Sequence, residues 1–194
     1  PVDITLGGDV MNVGGYESKL TFNAARLGYT ASNITRTSFL SDGGTRSTSG
    51  ASGTPLLEAV GAGNVKFGDY SWGTNAGADA PGTLAKAKLD VVSCGSSNLS
   101  LSETQVVDYQ GNLFALTSQA TNVPVKVNHR LNVNGDAIPV VTGQDVLAVV
   151  NALNSSVACT AGYQYNTNGD AIPVVTGQDV LAVVNALNSS VACP

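Results

Sequence analysis

The chain has 194 residues, of which 12% are charged and 22 are glycine, with a formal net charge of −5. That length allows one substantial core plus a small second module, while the acidic balance and the lack of a basic patch argue against a nucleic-acid partner held by its phosphates. No run of about 18 consecutive apolar residues exists to span a membrane, and the Gly-, Ser- and Thr-rich usage suits a secreted β-rich protein. The chain opens at Pro1 rather than Met, as a processed product would.

The first element alternates as a strand does: Val2, Ile4 and Leu6 on one side, Asp3 and Thr5 on the other. Gly7 and Gly8 break it, and a second strand is expected over Met11–Phe22. Further strands are expected over Ala31–Leu40, Ala59–Phe67, Asp69–Trp72, Gly82–Ser93, Asn98–Val107, Leu113–Leu116 and Val123–Val127, separated by Gly, Asn, Asp and Ser clusters. Many short strands with no helical period among them predict a mainly β first module, an antiparallel jelly roll or β-sandwich over 1–128. Phe67, Tyr70 and Trp72 fall close together, where alternation turns at least one inward and core packing is the expected role of the others.

Chemistry-bearing motifs are sparse in this stretch. No GxSxG, HExxH or P-loop occurs. The carboxylates Asp3, Asp9, Glu17, Glu58 and Asp69 have no spacing that aims two of them at one bond, so a non-enzyme is expected. Asn33, Asn98, Asn154 and Asn188 each begin an N-glycosylation triplet. His129, the only histidine, reads as a solvated residue in the linker KVNHRL.

Past that linker the sequence duplicates itself. Asn134–Cys159 reads NGDAIPVVTGQDVLAVVNALNSSVAC, and Asn168–Cys193 repeats it letter for letter. Two copies of one structural unit follow, in a second module over 129–194 with repeats at 132–159 and 166–193. Each copy opens with oxygen-bearing side chains at alternate positions, Asn132, Asn134 and Asp136 in the first and Asn166, Asn168 and Asp170 in the second, a spacing that can turn them toward one hard cation. Next comes TGQDVLAVVNALN, with Val146, Val149, Val150 and Leu153 at helical spacing and Thr142 at an N-cap, followed three residues on by Asp145. The module is therefore a small α module of two loop-helix repeats. Cys94, Cys159 and Cys193 are odd in number; Cys159 and Cys193 either pair with each other, or one of them pairs with Cys94.

Carried by NxNGD followed by TGQDVLAVVNALN, the repeats resemble dockerin domains, whose paired loops bind Ca²⁺ and whose helices dock on cohesin domains. The resemblance implies Ca²⁺ held by the side chains of Asn132, Asn134, Asp136 and Asp145, with a carbonyl near Ile138. In the second copy it implies Asn166, Asn168, Asp170 and Asp179, with a carbonyl near Ile172. The chain departs from that pattern in three ways. The first loop position is Asn instead of Asp, Ala137 and Ala171 stand where a turn glycine is usual, and the spacing to Asp145 is two residues longer. The alternative for the same residues is a pair of Asx-turn loops that cap helices without metal.

GGYESKLTFNAARLGYTASNI, SFLSDGGTR, FGDYSWG and APGTLAKAKLDVVSCGSSNLSLSETQVVDYQGN resemble the cohesin pattern in order. Asn23-Ala24 stands where that pattern has Asp-Pro, and the chain is expected to lack the strand that such domains carry before Val2–Leu6. A sheet edge left open there would be a template for a strand from another copy; the alternative is a slightly shorter sandwich with a covered edge. Together the resemblances imply an extracellular or cell-surface structural protein whose plug-like tail engages the socket-like sandwich of another copy, giving a filament or scaffold. The docking face would be Val146, Val149, Val150 and Leu153 with Val180, Val183, Val184 and Leu187. The alternative is a binding module of a cellulosome-like complex, with a separate cohesin-type protein or a polysaccharide as partner.

Overall fold

A computed structural model describes residues 1–136, 138–155, 165–170, 172 and 174–189. Ala137, Ala171, Cys159 and Cys193, on which some of the expectations above rest, lie outside the described residues. The chain divides into two compact units, the first made of Pro1–Asp90 and Ser97–Val125, the second of Val91–Ser96 and Lys126–Pro194.

The first unit is built mainly from two larger antiparallel sheets, beside a two-stranded one. One has the order β1 (Val2–Leu6), β8 (Gly82–Ala87), β4 (Ile34–Arg36). The other runs β11 (Val123–Val127), β10 (Gly95–Asp108), β2 (Val13–Thr21), β7 (Asn64–Trp72), β5 (Ser47–Thr48), with β6 (Leu57–Gly61) also on β7. Short strands β3 (Leu27–Gly28) and β9 (Asp90–Val91) complete the β elements. Inward residues of both sheets, among them Ile4, Leu6, Tyr16, Leu20, Ile34, Val65, Phe67, Leu84 and Val106, form the core. Tyr16 and Phe67 meet edge to face with ring centroids 6.2 Å apart.

Several boundaries differ from the sequence expectation, each for a local reason. The expected strands at Ala59–Phe67 and Asp69–Trp72 are instead a hairpin of β6 and β7 turning at Ala62-Gly63, where Gly63 takes φ 70°. Gly68 lies inside β7 because a Cβ there would sit 2.7 Å from the Tyr16 carbonyl oxygen. Ala31–Leu40 shrinks to β4 and a 3₁₀ turn at Phe39–Gly44. Leu113–Leu116 forms only a bridge from Leu113 to Val107, after a tight turn in which the Asp108 carboxylate accepts the N–H groups of Gln110 and Asn112.

The larger correction concerns β7. Its inward positions are Val65, Phe67, Asp69 and Ser71, whereas Tyr70 and Trp72 face outward and are about half exposed. The polarity is inverted because two arginines are buried in this unit. Arg36 Nε donates to Asp69 Oδ2 at 3.0 Å, and Arg46 Nε donates to Ser71 Oγ at 3.0 Å. A buried arginine needs acceptors beside it, so the inward side of this strand end is polar and its aromatics turn to solvent.

The second unit holds α1 (Gly143–Asn154) and α2 (Gly177–Asn188). Both begin with a full capping box: the Thr142 or Thr176 hydroxyl accepts a backbone N–H, and the Asp145 or Asp179 carboxylate accepts the N–H of the capping threonine. Val149, Ala152, Val183 and Ala186 meet Leu131, Val133 and Val175 in a shared core.

Candidate functional site

The first repeat loop is tied together by its own polar groups. Asn134 Oδ1 accepts the Asp136 N–H at 3.0 Å, Asp136 Oδ1 accepts the Ile138 N–H at 2.8 Å, and Asn134 Nδ2 donates to Asp136 Oδ2 at 2.8 Å. Gly135, between the two side chains, takes φ 70°, the left-handed geometry that lets both point to one side. Asn132 Nδ2 donates to the Ile138 carbonyl. Asp145 is fully buried at the start of α1, where Oδ1 accepts the Asn134 N–H at 3.1 Å and Oδ2 accepts the N–H and hydroxyl of Thr142.

The second loop repeats part of this plan. Asn168 Oδ1 accepts the Asp170 N–H and Asp170 Oδ1 accepts the Ile172 N–H. Asn166 Oδ1 accepts the Gly169 N–H, and Asn166 Nδ2 donates to the Asp170 carbonyl. Asp179 accepts from Thr176, as Asp145 does from Thr142, and also from Thr167 and Asn168. Burial pushes the Asp179 carboxyl up, but the donors from Thr176, Asn168 and Thr167 outweigh it and hold the group below its ordinary value.

These arrangements bear differently on a divalent cation. Among the described residues no group of three or more His, Cys, Asp or Glu side chains gathers as a metal site. In the first loop, however, Asn132 Oδ1 is buried with no hydrogen-bond partner. A buried acceptor left open is what a hard cation would fill; Asn132 with Asn134, Asp136 and the Ile138 carbonyl are the groups that would hold one, of which Asn134, Asp136 and the carbonyl already accept hydrogen bonds. The second loop, with Asn166 Oδ1 already occupied, does not offer that opening.

The helix face expected to dock on a partner lies elsewhere. Val149 and Val183 are completely buried inside the unit, and Val146, Leu153 and Val180 pack partly against the same core. The apolar stripes of two identical helices bury each other first, so Val149 and Val183 are corrected from interface to core; Val150 and Val184 are half-buried and Leu187 exposed. What the repeats expose is a second set of apolar residues, matched between copies: Ile138 and Ile172, Val140 and Val174, Leu147 and Leu181, each between 45% and 50% exposed.

His129 is also corrected. It is 4% exposed, its N–H donates to the Pro139 carbonyl, and its Nδ1 accepts the Leu131 N–H at 3.1 Å. Burial, then the neighbouring Arg130 charge, lowers its pKa below the ordinary 6.5, with Asp145 opposing. Cys94 is disulfide-bonded. Of the glycosylation triplets, Asn98, Asn154 and Asn188 are exposed and Asn33 is half-buried.

On the first unit the outer face of the larger sheet carries the exposed Leu57, Tyr70 and Trp72, and the Tyr70 and Trp72 rings lie 5.6 Å apart. Beside them is a concavity of about 500 Å³ over Gly15, Glu17, Lys66 and Gly68. Lys66 pairs with Glu17 at 2.7 Å, and Lys19 with Glu103 at 3.0 Å. Three of the acidic residues considered for hydrolysis have partners of their own. Asp69 is held by Arg36, Glu58 accepts from the Tyr29 hydroxyl, and Glu17 is paired with Lys66. β1 stands at the edge of its sheet.

No protein-family model matches the chain, and no curated protein sequence matches it. Solved structures similar to it are cohesin modules. The CaCohA2 module of Clostridium acetobutylicum is 16% identical with a TM-score of 0.45, covering 65% of this chain and 79% of that one. The cohesin module of a Clostridium perfringens family 33 glycoside hydrolase is 20% identical with a TM-score of 0.43, covering 61% and 75%. A non-cellulosomal cohesin of the archaeon Archaeoglobus fulgidus is 18% identical with a TM-score of 0.38, covering 56% and 74%.

Proposed function

We propose that the chain is a non-catalytic, extracellular assembly subunit in which the C-terminal repeats of one copy dock on the sandwich of the next. The observation that carries this reading is the duplicated set of exposed apolar residues, Ile138, Val140 and Leu147 with Ile172, Val174 and Leu181, left over after the helices have buried their own stripes. Exposed apolar groups in matched copies suit a protein contact. Leu57, Tyr70 and Trp72 on the larger sheet supply an apolar and aromatic counterpart of the kind that anchors interfaces. A plug on one surface and a socket on another make a heterologous contact, and one that does not close grows into a filament or scaffold.

Two further features support the reading. The disulfide at Cys94 suits an oxidising compartment outside the cytosol. Ca²⁺ in the first loop would fix Ile138, whose carbonyl it would engage, and Val140 two residues on. The experiment that tests the reading is light scattering of the purified chain against concentration, for the parent and for Leu147→Glu with Leu181→Glu; the parent should assemble and the variant should not.

The Tyr70–Trp72 pair favours a second reading, in which the sandwich binds a polysaccharide through these rings and the tail docks on a separate cohesin-type protein. A parent chain that stays monomeric and is retained on insoluble polysaccharide would select it.

A further inference from the structure

The two repeats are identical from Asn134 and Asn168 onward, yet their loops are closed differently, and the residue that differs just before is Val133 in one and Thr167 in the other. Thr167 is buried; its N–H donates to Asp179 Oδ1 at 2.8 Å and its hydroxyl to the Asp179 carbonyl at 2.5 Å. Valine has no hydroxyl to make the second bond.

Asp179 is thereby surrounded. Its Oδ1 accepts the N–H groups of Thr167 and Asn168, and its Oδ2 accepts the N–H and the hydroxyl of Thr176. A carboxylate has about four lone-pair sites, so four donors leave none for a cation. Asn166 Oδ1 accepts Gly169 N–H, while Asn168 Oδ1 and Asp170 Oδ1 accept the Asp170 and Ile172 N–H groups just as Asn134 and Asp136 do in the first loop. The first loop differs at the matching atom, Asn132 Oδ1, which is buried and accepts nothing.

We infer that Asp179 closes the second repeat loop as a latch made of protein donors, with Thr167 as its clasp, so that this loop keeps its shape without a divalent cation. The repeats are then unequal in chemistry although nearly equal in sequence. One loop is fixed permanently, and any response to Ca²⁺ is confined to the other. The latch stands on the hydrogen bonds of the second loop alone. The cation in the first loop rests on the proposed function.

Amide spectra of the isotopically labelled full chain, recorded through a Ca²⁺ titration and then in chelator, test the two separately. The latch predicts that the signals of 166–170 do not move with Ca²⁺. It also predicts that the Thr167 and Asn168 amides exchange with solvent equally slowly in Ca²⁺ and in chelator. A saturable Ca²⁺ shift at 166–170, or loss of that protection in chelator, overturns it. Thr167→Val should speed exchange at positions 167 and 168 by about tenfold, one broken hydrogen bond's worth, with no change at Asn134. Thr167→Ser should restore protection; failure of serine to do so removes the hydroxyl from the latch. Shifts in neither loop would leave the latch in place and refute only the calcium part of the proposed function.

Discussion

Asn134 and Asp145, eleven residues apart, are joined by a 3.1 Å hydrogen bond from the Asn134 N–H to Asp145 Oδ1. The same buried carboxylate caps α1 through Thr142, so one side chain fixes both the start of the helix and the path of the loop before it. Asp145→Ala strands three donors in a site with little water and should destabilise the second unit by roughly 2 to 4 kcal/mol. Denaturant unfolding followed by far-UV circular dichroism measures this, and a change below about 0.5 kcal/mol, the size of an ordinary surface substitution, would contradict the double role.

The inequality of the loops makes a paired prediction. Asp136→Ala should abolish any rise in melting temperature on adding Ca²⁺, because Asp136 is the carboxylate of the loop that holds the open Asn132 Oδ1. Asp170→Ala should lower the melting temperature in Ca²⁺ and in chelator alike and leave their difference intact. Calorimetry of both variants in the two buffers is the check; equal loss of the calcium increment in both would make the loops equivalent.

His129 sets a pH dependence whose sign follows from its burial. Its folded pKa lies below 6.5, so under that pH the unfolded chain binds more protons and folding loses stability. The second unit should melt at constant temperature from about pH 8 to 7 and progressively lower as pH falls through 6.5. Arg130 adds to the effect and Asp145 opposes it. His129→Gln should flatten the decline between about pH 6.5 and 5, read as melting temperature in buffers of matched ionic strength. An unchanged slope would assign the acid sensitivity to other groups.

Trp72 is the only tryptophan and is about half exposed, which makes it a reporter for the larger sheet face. Assembly through that face should shift its emission to shorter wavelength and reduce quenching by acrylamide as concentration rises. A shift produced by soluble polysaccharide at a concentration where the chain is monomeric would favour the second reading.

Much of this architecture is legible in the sequence where local rules decide. Alternation in VDITL marks β1 at Val2–Leu6, and TGQD announces both capping boxes, since each depends on neighbours only three residues apart. What escapes is set by distant partners. The outward turn of Tyr70 and Trp72 depends on Arg36 and Arg46, which claim Asp69 and Ser71 for the interior. Periodicity reveals an apolar stripe through Val149 and Val183 but not what covers it, and here each repeat covers the other. His129 looks solvated in KVNHRL, and only the fold brings the Pro139 carbonyl to its N–H. The open Asn132 Oδ1 and the occupied Asn166 Oδ1 carry the same side chain, so their difference depends on the fold around each.

The proposed assembly is self-association through the exposed residues of the repeats. Negative-stain electron microscopy of the purified chain in calcium buffer tests it most directly, beside Leu147→Glu with Leu181→Glu checked for unchanged circular dichroism. The account predicts filaments or extended scaffolds for the parent and dispersed particles for the variant; dispersed single particles for the parent at every concentration would contradict it.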